Sequence, residues 1–179
     1  MENSTLDKVL VDQLLSTDNN SQLHAIEIIQ QNGNVHYVPV LLALYEKSKS
    51  TEVRKKITNL LNSIKDPKVA PIVIQQLQES KSEEIRSMLL TSCWSSGIDY
   101  SDYLPVFIDV ILTGEYMTAF EALTIIDNID GKFDKKVLTT YIQKVKEVSA
   151  NSELHKKKAI YVELIGVLES FCLSADTSM

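Results

Sequence analysis

Apolar residues recur along the chain with the spacing of one face of an α-helix. Tetrads at i, i+3, i+4 and i+7 begin at Val38, Ala70, Leu104 and Leu138, and a partial tetrad begins at Leu6. These starting points lie 32, 32, 34 and 34 residues apart. One such stripe arises easily by chance, whereas five in register predict a repeated amphipathic helix.

A second helix is predicted after each of these stripes, beyond a short polar turn. The second helices open on Gln22-Leu23-His24, Glu52-Val53-Arg54, Glu84-Ile85-Arg86, Tyr116-Met117-Thr118 and Glu153-Leu154-His155. The repeating unit is therefore helix, turn, helix, about 33 residues long, and five such pairs make ten helices. No useful length of chain alternates with a period of two, so no β-strand is predicted.

Prolines stand at matching places in three of the repeats. Pro39, Pro71 and Pro105 each follow the first residue of a tetrad by one position. A proline near the start of a helix removes a backbone hydrogen bond and clashes with the preceding turn, so we expect a bent first helix in these repeats. The expected N-caps of these helices are Asn34, Asp66 and Ser101.

These features resemble the HEAT repeats. The resemblance rests on Tyr37-Val38-Pro39 and Tyr103-Leu104-Pro105 in the first helices, and on Val53-Arg54 and Ile85-Arg86 in the second helices. It implies an all-α, armadillo-like fold, a right-handed α-α superhelix of about five HEAT-like helix pairs. The family's usual Asp in the turn is replaced by Ser48 and Ser80, so a ladder of Asp–Arg pairs is not implied.

We expect a single solenoid domain over residues 1–179. Its units are predicted at about 4–31, 34–65, 66–97, 101–130 and 132–173, followed by a flexible tail at 174–179. Stacked neighbours should cover both sides of each second helix, as the apolar run from Tyr116 to Ile129 indicates for the fourth unit. A long last helix, from about Asn151 to Leu173, is expected to close the stack.

Composition and charge limit the cellular locations and the binding partners that we expect for the chain. Neither a secretory signal nor an apolar run of the ~20 residues that a membrane span requires is evident. The two cysteines lie far apart in the sequence without a CxxC motif, so we expect reduced thiols and a cytoplasmic location. The formal charge is −6, which argues against nonspecific nucleic-acid binding. We expect a monomer that binds a protein partner, and a basic one if the acidic residues form the docking surface.

The acidic residues of the middle of the chain form one candidate docking surface. Residues 69–131 carry 2 basic and 10 acidic side chains, and Tyr100, Tyr103 and Tyr116 are candidate aromatic anchors there. Solvated helix faces and turns explain the same charges, and both interpretations stay open. The short basic runs Lys55-Lys56 and Lys156-Lys157-Lys158 lack a Gly-rich phosphate loop and are interpreted as solvated helix surface.

Trp94 is the only tryptophan in the chain. The repeat pattern places Ile85, Leu89 and Cys93 inward and leaves Leu90 and Trp94 on another stripe of the same helix. Either this stripe packs on a neighbouring repeat, or Trp94 is exposed and becomes the first candidate for a binding hot spot. The candidate protein-binding surface comprises Trp94, Leu90, Tyr116, Glu115, Glu121, Asp99 and Asp102.

The sequence offers no set of catalytic residues, no cofactor site and no metal site. GxSxG, HExxH and Walker motifs are absent from it. His24, His36 and His155 are scattered, and none is followed by the Glu of the His-Glu pair that a HEAT-type hydroxylase uses for iron. Cys93 lies in an apolar stripe, which is typical of a buried structural thiol.

The resemblance implies a non-catalytic protein–protein interaction module, an adaptor, scaffold or regulatory subunit that presents a curved solenoid surface. Two alternatives within HEAT-like proteins are a DNA glycosylase for alkylated bases and a bilin lyase-like subunit. The net charge of −8 over residues 69–131 would repel the phosphate backbone that a glycosylase must bind. No residue set specifically favours the lyase.

Overall fold

The structure is a computed structural model that describes residues 6–32, 35–151 and 155–176, with side chains for 6–32, 35–150 and 156–174. Every regular element within these ranges is helical. The all-α prediction is therefore confirmed.

Ten α-helices are present in the described part of the chain. They are α1 (Lys8–Leu14), α2 (Asn19–Asn32), α3 (Val38–Lys47), α4 (Thr51–Ser63), α5 (Val69–Glu79), α6 (Glu83–Ser96), α7 (Leu104–Thr113), α8 (Tyr116–Asp127), α9 (Lys135–Asn151) and α10 (Lys158–Asp176). Short 3-10 turns at Val35–Tyr37, Ser101–Tyr103 and His155–Lys157 precede α3, α7 and α10.

The helices form two compact units, the first ending at Ile98 and the second beginning at Asp99. In the first unit α1, α3 and α5 contact one another in order, and α2, α4 and α6 form a parallel series beside them. In the second unit α7 packs on α8 and α9 packs on α10, with α7 against α9 and α8 against α10. Each unit thus has the stacked helix pairs of an α-solenoid, while one continuous domain over 1–179 stays a prediction.

The predicted apolar tetrads form the core of each unit. All four residues are buried in the tetrads that begin at Val38, Ala70 and Leu104. In the last tetrad Leu138 and Val145 are buried, whereas Tyr141 and Ile142 are only half-buried. The cause is that α9 is the first helix of the last pair. It packs against the first helix of the preceding pair, α7, on one side, and no later pair follows in the described part of the chain to cover its other side.

The prolines occupy nearly equivalent places, in the first turn of each helix. Pro39 and Pro105 are the second residues of α3 and α7, and Pro71 is the third residue of α5. At these positions a backbone N–H has no partner within the helix in any case, so a proline costs no helical hydrogen bond. The bend of the first helices stays a prediction.

The expected N-caps of the first helices were also misplaced. The residues at the cap positions are Tyr37, Lys68 and Tyr103. A 3-10 turn ahead of α3 and α7 shifts the start of each helix toward its proline, and Ser101 begins one of these turns. The Asp66 carboxylate accepts a hydrogen bond from the Lys68 amide at 2.9 Å in the turn before α5. The predicted cap Asn34 lies outside the described residues.

The turns inside the second and third pairs share one serine motif. Ser48 Oγ accepts a hydrogen bond from the Ser50 amide, and Ser80 Oγ accepts one from the Ser82 amide, both at 3.2 Å. Ser50 and Ser82 then cap α4 and α6, accepting from the amides of Val53 and Ile85. Ser48 and Ser80, which replace the family's Asp, therefore stabilise the turn, and Ser50 and Ser82 stabilise the start of the next helix.

The last helix differs from its predicted bounds. Asn151, its expected start, is the final residue of α9, and α10 begins at Lys158. A 3-10 turn at His155–Lys157 precedes α10. Residues 174–176 of the predicted tail are the end of α10, and 177–179 lie outside the described residues.

Candidate functional site

Three large apolar side chains are exposed within the first turns of α8. Tyr116 is 45% exposed, Met117 60% and Phe120 49%, and we call these three residues the α8 cluster. The opposite face of the helix is buried, since α8 packs on α7 and α10. The expectation that neighbours cover α8 on both sides was wrong for these residues.

Sequence reasoning missed Met117 and Phe120 as surface residues for a physical reason. A helix that is apolar around most of its circumference is expected to be buried on all sides. The pattern contains no signal that separates an apolar residue facing a neighbour from one facing solvent. Of the α8 cluster, only Tyr116 was a candidate binding residue.

The sequence on both sides of the α8 cluster is acidic. Residues 87–131 contain seven Asp and Glu side chains and no Lys, Arg or His. Glu115 is exposed at the N-cap position of α8, Glu121 is half-buried six residues further on, and Asp127 is exposed at the last position. Asp109, on α7, is paired with Lys144 of α9 at 2.8 Å. The exposed side of α8 thus carries apolar residues first and a carboxylate at its end.

A buried lysine holds the turn that precedes α8. Lys157 Nζ donates hydrogen bonds to the carbonyl oxygens of Ile111, Leu112 and Gly114, at 3.0, 3.3 and 2.8 Å. These are carbonyls at the C-terminal end of α7, which otherwise have no partner within the helix. The interpretation of residues 156–158 as solvated surface holds for Lys156 and Lys158, which are exposed, but was wrong for Lys157. Its ammonium group fixes where α8 begins.

Trp94 is exposed, with 56% of its surface open to solvent. Ile85, Leu89 and Cys93 are buried, as predicted. Leu90 is also fully buried and is therefore removed from the candidate surface. The reason is that α6 buries two adjacent stripes of its surface rather than one. Leu90 lies on a buried stripe, although Trp94, four residues later, is exposed.

The acidic residues before α7 are separated from those of α8. Asp99 and Asp102 are exposed beside the 3-10 turn at the start of α7, whereas Glu115 and Tyr116 follow its end. The ten residues of α7 place about 15 Å between the two groups. The Ser101 amide donates to the Asp99 carboxylate at 2.8 Å, and this bond lowers the pKa of Asp99. The structure therefore does not bring these candidates into one site.

Tyr100 and Tyr103, the other proposed aromatic anchors, pack against each other and contribute to the core. Tyr100 is buried, with its ring centroid 6.2 Å from those of Tyr103 and Phe107. Edge-to-face and tilted pairs at this distance stabilise a core beyond the area they bury. Tyr100 is thus not available as an anchor, and Tyr103 is half-buried.

The two signature arginines form ion pairs on the second helices. Arg54 of α4 is hydrogen-bonded to Glu84 of α6, and its guanidinium lies 4.3 Å from the centre of the Tyr45 ring. Tyr45 Oη donates to Glu84 Oε1 at 3.3 Å. Hydrogen bonds from Arg54 and Tyr45 lower the pKa of Glu84, and those with Glu84 and Tyr45 raise the pKa of Arg54. Arg86 instead pairs with Glu83 of its own helix at 2.9 Å.

A second ion pair extends this arrangement toward the start of the chain. Lys56 Nζ of α4 lies 3.0 Å from Glu27 Oε1 of α2. A hydrogen bond and the positive charge of Lys56 lower the pKa of Glu27. Charge pairs therefore join α2 to α4 and α4 to α6, in place of the Asp–Arg ladder that the sequence did not imply.

The described part of the chain contains no candidate metal site. No cluster of three or more His, Cys, Asp or Glu side chains there has a geometry that could hold a metal ion. His24 and His36 are exposed, Cys93 is a buried free thiol and Cys172 is a half-buried one. The side chain of His155 lies outside the described residues. No described helix is long and apolar enough to span a membrane.

One family comparison matches the chain. A family model described as HEAT repeats matches residues 8–93, a range that begins at α1 and ends within α6. No curated protein and no solved structure shows a significant match.

Proposed function

We propose that the chain is a HEAT-repeat protein and a non-catalytic protein–protein interaction module. HEAT repeats generally mediate contacts between proteins, and the roles that fit are adaptor, scaffold or regulatory subunit. Stacked helix pairs suit these roles because they present long, rigid surfaces that do not depend on mobile loops. Fold does not by itself imply function, so the proposal depends on a particular surface.

The observation that carries the proposal is the α8 cluster. Single exposed apolar residues are ordinary on a protein surface, whereas adjacent large ones mark interaction sites. Tyr116, Met117 and Phe120 lie within about 6 Å along the helix axis. Aromatic residues and Met are enriched at protein interfaces, where burying them supplies much of the binding free energy.

The partner that this surface favours is basic. Residues 87–131 carry seven carboxylates and no Lys, Arg or His, and an excess of negative charge attracts a positively charged protein and speeds its association. The same charges disfavour the glycosylase alternative, because DNA is a polyanion. We also propose a cytoplasmic location, which the free thiols of Cys93 and Cys172 support, and a monomer in the absence of the partner.

Affinity purification from the native host, followed by quantitative mass spectrometry, tests the proposal. The baits are the intact chain, Phe120→Asp, Trp94→Ala and the control Val9→Asp. Val9 is an exposed apolar residue on α1, so its variant introduces the same charge far along the sequence from α8. We expect a specific protein that the intact chain and V9D retain and that F120D loses by about tenfold or more.

The two tests at exposed aromatic residues separate the contributions of the two units. Trp94→Ala should reduce retention of the same protein if the first unit contributes a hot spot, and unchanged retention would remove Trp94 from the binding surface. The proposed function itself fails if no protein is specifically retained, or if F120D retains it as well as V9D does.

A further inference from the structure

We propose that a cavity in the first unit is a binding site for a small neutral molecule that has an apolar body and one hydrogen-bond donor. The cavity lies between α2, α3 and α4, and its volume is about 160 Å³. The α8 cluster belongs to the second unit, so this site is independent of the proposed protein partner.

The wall of the cavity is mostly apolar. Its apolar side chains come from α2, from the 3-10 turn before α3, and from α3 and α4, and the buried ones are Ile29, Val35, Val38, Leu41 and Leu60. Such a wall offers water few hydrogen bonds, and apolar cavities of this kind stay dry. A dry cavity of about 150 Å³ holds one molecule of benzene, so a ring of that size has room here.

The polar part of the wall lies at the C-terminal end of α4. Ser63, which lines the cavity, is the last residue of that helix, and its hydroxyl donates to the carbonyl of Leu60 at 2.8 Å. The carbonyl of Leu61 accepts from the amide of Ile64. The carbonyl oxygens of Asn62 and Ser63 accept no hydrogen bond from any residue that the structure describes. A donor on a bound molecule supplies what these carbonyls lack.

The interface between the second and third helix pairs shows how such carbonyls are satisfied. Lys65 Nζ donates to the carbonyl oxygens of Ser95 and Ser96, at the end of α6, at 3.3 and 2.7 Å. These serines stand 32 residues after residues 63–64, which is the repeat spacing. The residue 32 positions before Lys65 is Gly33, so the repeat between the first and second pairs has no lysine at this place.

The charges at the cavity favour a neutral ligand. Lys65 and Asp66 are the charged residues that line it, and their charges are opposite. Lys65 is held at the end of α6, and the Asp66 carboxylate accepts a hydrogen bond from the Lys68 amide at 2.9 Å. An ion that entered the cavity would lose its hydration without gaining a free counter-charge. A neutral donor meets the carbonyls without this cost.

The division of the wall is typical of small-molecule sites. Such sites combine a concave apolar surface with a small number of polar groups that orient the ligand. Here the apolar part holds a ring, and the end of α4 accepts its hydrogen bond. The ligand class is therefore a neutral phenol-like or alcohol-like molecule.

Methyl NMR titrations of the intact chain test both the class of ligand and its location. The ligands are phenol, benzene, benzoate and benzylamine, which share one ring and differ in donor and charge. We expect phenol to move the methyl signals of Ile29, Val38 and Leu41 and to bind about fivefold tighter than benzene, because its hydroxyl supplies the donor. Benzoate and benzylamine should bind about tenfold more weakly than phenol, or worse, since an ion is poorly solvated there.

The other outcomes contradict particular parts of the proposal. Cavity methyl signals that do not move with any ligand would show a packing void and no binding site. Benzene that binds as tightly as phenol would refute the role of the donor, and an ion that binds as tightly would refute the preference for a neutral ligand.

A variant that fills the cavity tests the site a second way. Val38→Phe places a larger side chain in the wall and should weaken phenol binding about tenfold or more. Val9→Phe makes the same change at an exposed residue of α1 and should leave phenol binding unchanged. A folded V38F chain that binds phenol as tightly as V9F would overturn the proposal. If V38F does not fold, the methyl signals of the intact chain decide.

Discussion

Lys157 takes a role opposite to the one that its lysine-rich sequence neighbourhood predicts. A run of three lysines is usually solvated, yet the side chain of Lys157 is buried and donates to three carbonyl groups. Burial of an ammonium group is tolerated because every donor finds an acceptor and because the C-terminal end of α7 is electronegative. Its flanking residues, Lys156 and Lys158, keep the solvated role.

Replacing Lys157 should destabilise the chain. Lys157→Met keeps the length of the side chain but leaves buried carbonyls at the end of α7 without a donor, at a cost of about 2–3 kcal/mol. Urea unfolding followed by circular dichroism measures the loss, with the exposed Lys156→Met as control. Equal unfolding midpoints for the two variants would contradict the role assigned to Lys157.

Two glycines should respond to alanine in opposite directions. Gly97 ends α6 with a φ of +66°, a left-handed conformation that disfavours a side chain, so Gly97→Ala should cost about 1 kcal/mol. Gly166 lies inside α10 with open space around the position of a Cβ, so Gly166→Ala should stabilise the chain by roughly 0.5–1 kcal/mol. Thermal unfolding of both variants measures the difference, and shifts of the same sign would refute it.

At the scale of elements, the helices of the first unit are joined by exposed charge pairs in addition to their apolar core. Exposed ion pairs contribute little to stability individually. The Arg54–Glu84 pair differs because the Tyr45 ring lies against the guanidinium and the Tyr45 hydroxyl donates to the same carboxylate. These contacts fix the register of α4 on α6 at the end where the second helices begin.

The stability that Glu84 contributes should disappear in acid. Its pKa is lowered in the folded chain from an ordinary value of 4.5, so its contribution is present above that pH and is lost as the pH falls through the lowered value. Glu84→Gln should therefore be less stable than the intact chain at about pH 7, and the gap should close in acid. Urea midpoints across this range measure it, with exposed Glu46→Gln as control. A gap independent of pH would contradict the assignment.

Helices could be predicted from sequence far better than their ends. The tetrads from Val38, Ala70 and Leu104 are all buried because apolar spacing and helical geometry depend on the same period. The start of α10 could not be predicted, since a 3-10 turn and the contacts of Lys157 with α7 determine it. Apolar periodicity carries no information about such long-range hydrogen bonds.

At the scale of the whole molecule, a negative net charge disfavours binding to nucleic acid. With a formal charge of −6, the chain should pass through a column of immobilised duplex DNA at about 50 mM salt without retention. A DNA glycosylase would be retained there and released steeply as salt rises. Retention that depends on salt in this way would favour the glycosylase alternative over the interaction module.

The candidate surface was only partly visible in the sequence. Trp94, Tyr116 and the acidic residues were candidates from their type, and all of these side chains except the half-buried Glu121 are exposed. Leu90 was wrongly included, and Met117 and Phe120 were missed, because whether an apolar helical residue meets solvent depends on which neighbours pack beside it. Exposure is a property of the packed units rather than of a local pattern.

The order of amino acids alone determined that this protein is a series of paired helices, with its prolines at matching places and a long stretch devoid of positive charge. These properties follow from local periodicity, backbone sterics and composition, which are complete before the chain folds. Tertiary structure decided that Lys157 is buried, that Leu90 is covered and that Tyr116, Met117 and Phe120 are open to solvent. Each of these outcomes depends on contacts between residues distant in sequence, and such contacts exist only once the helices have packed.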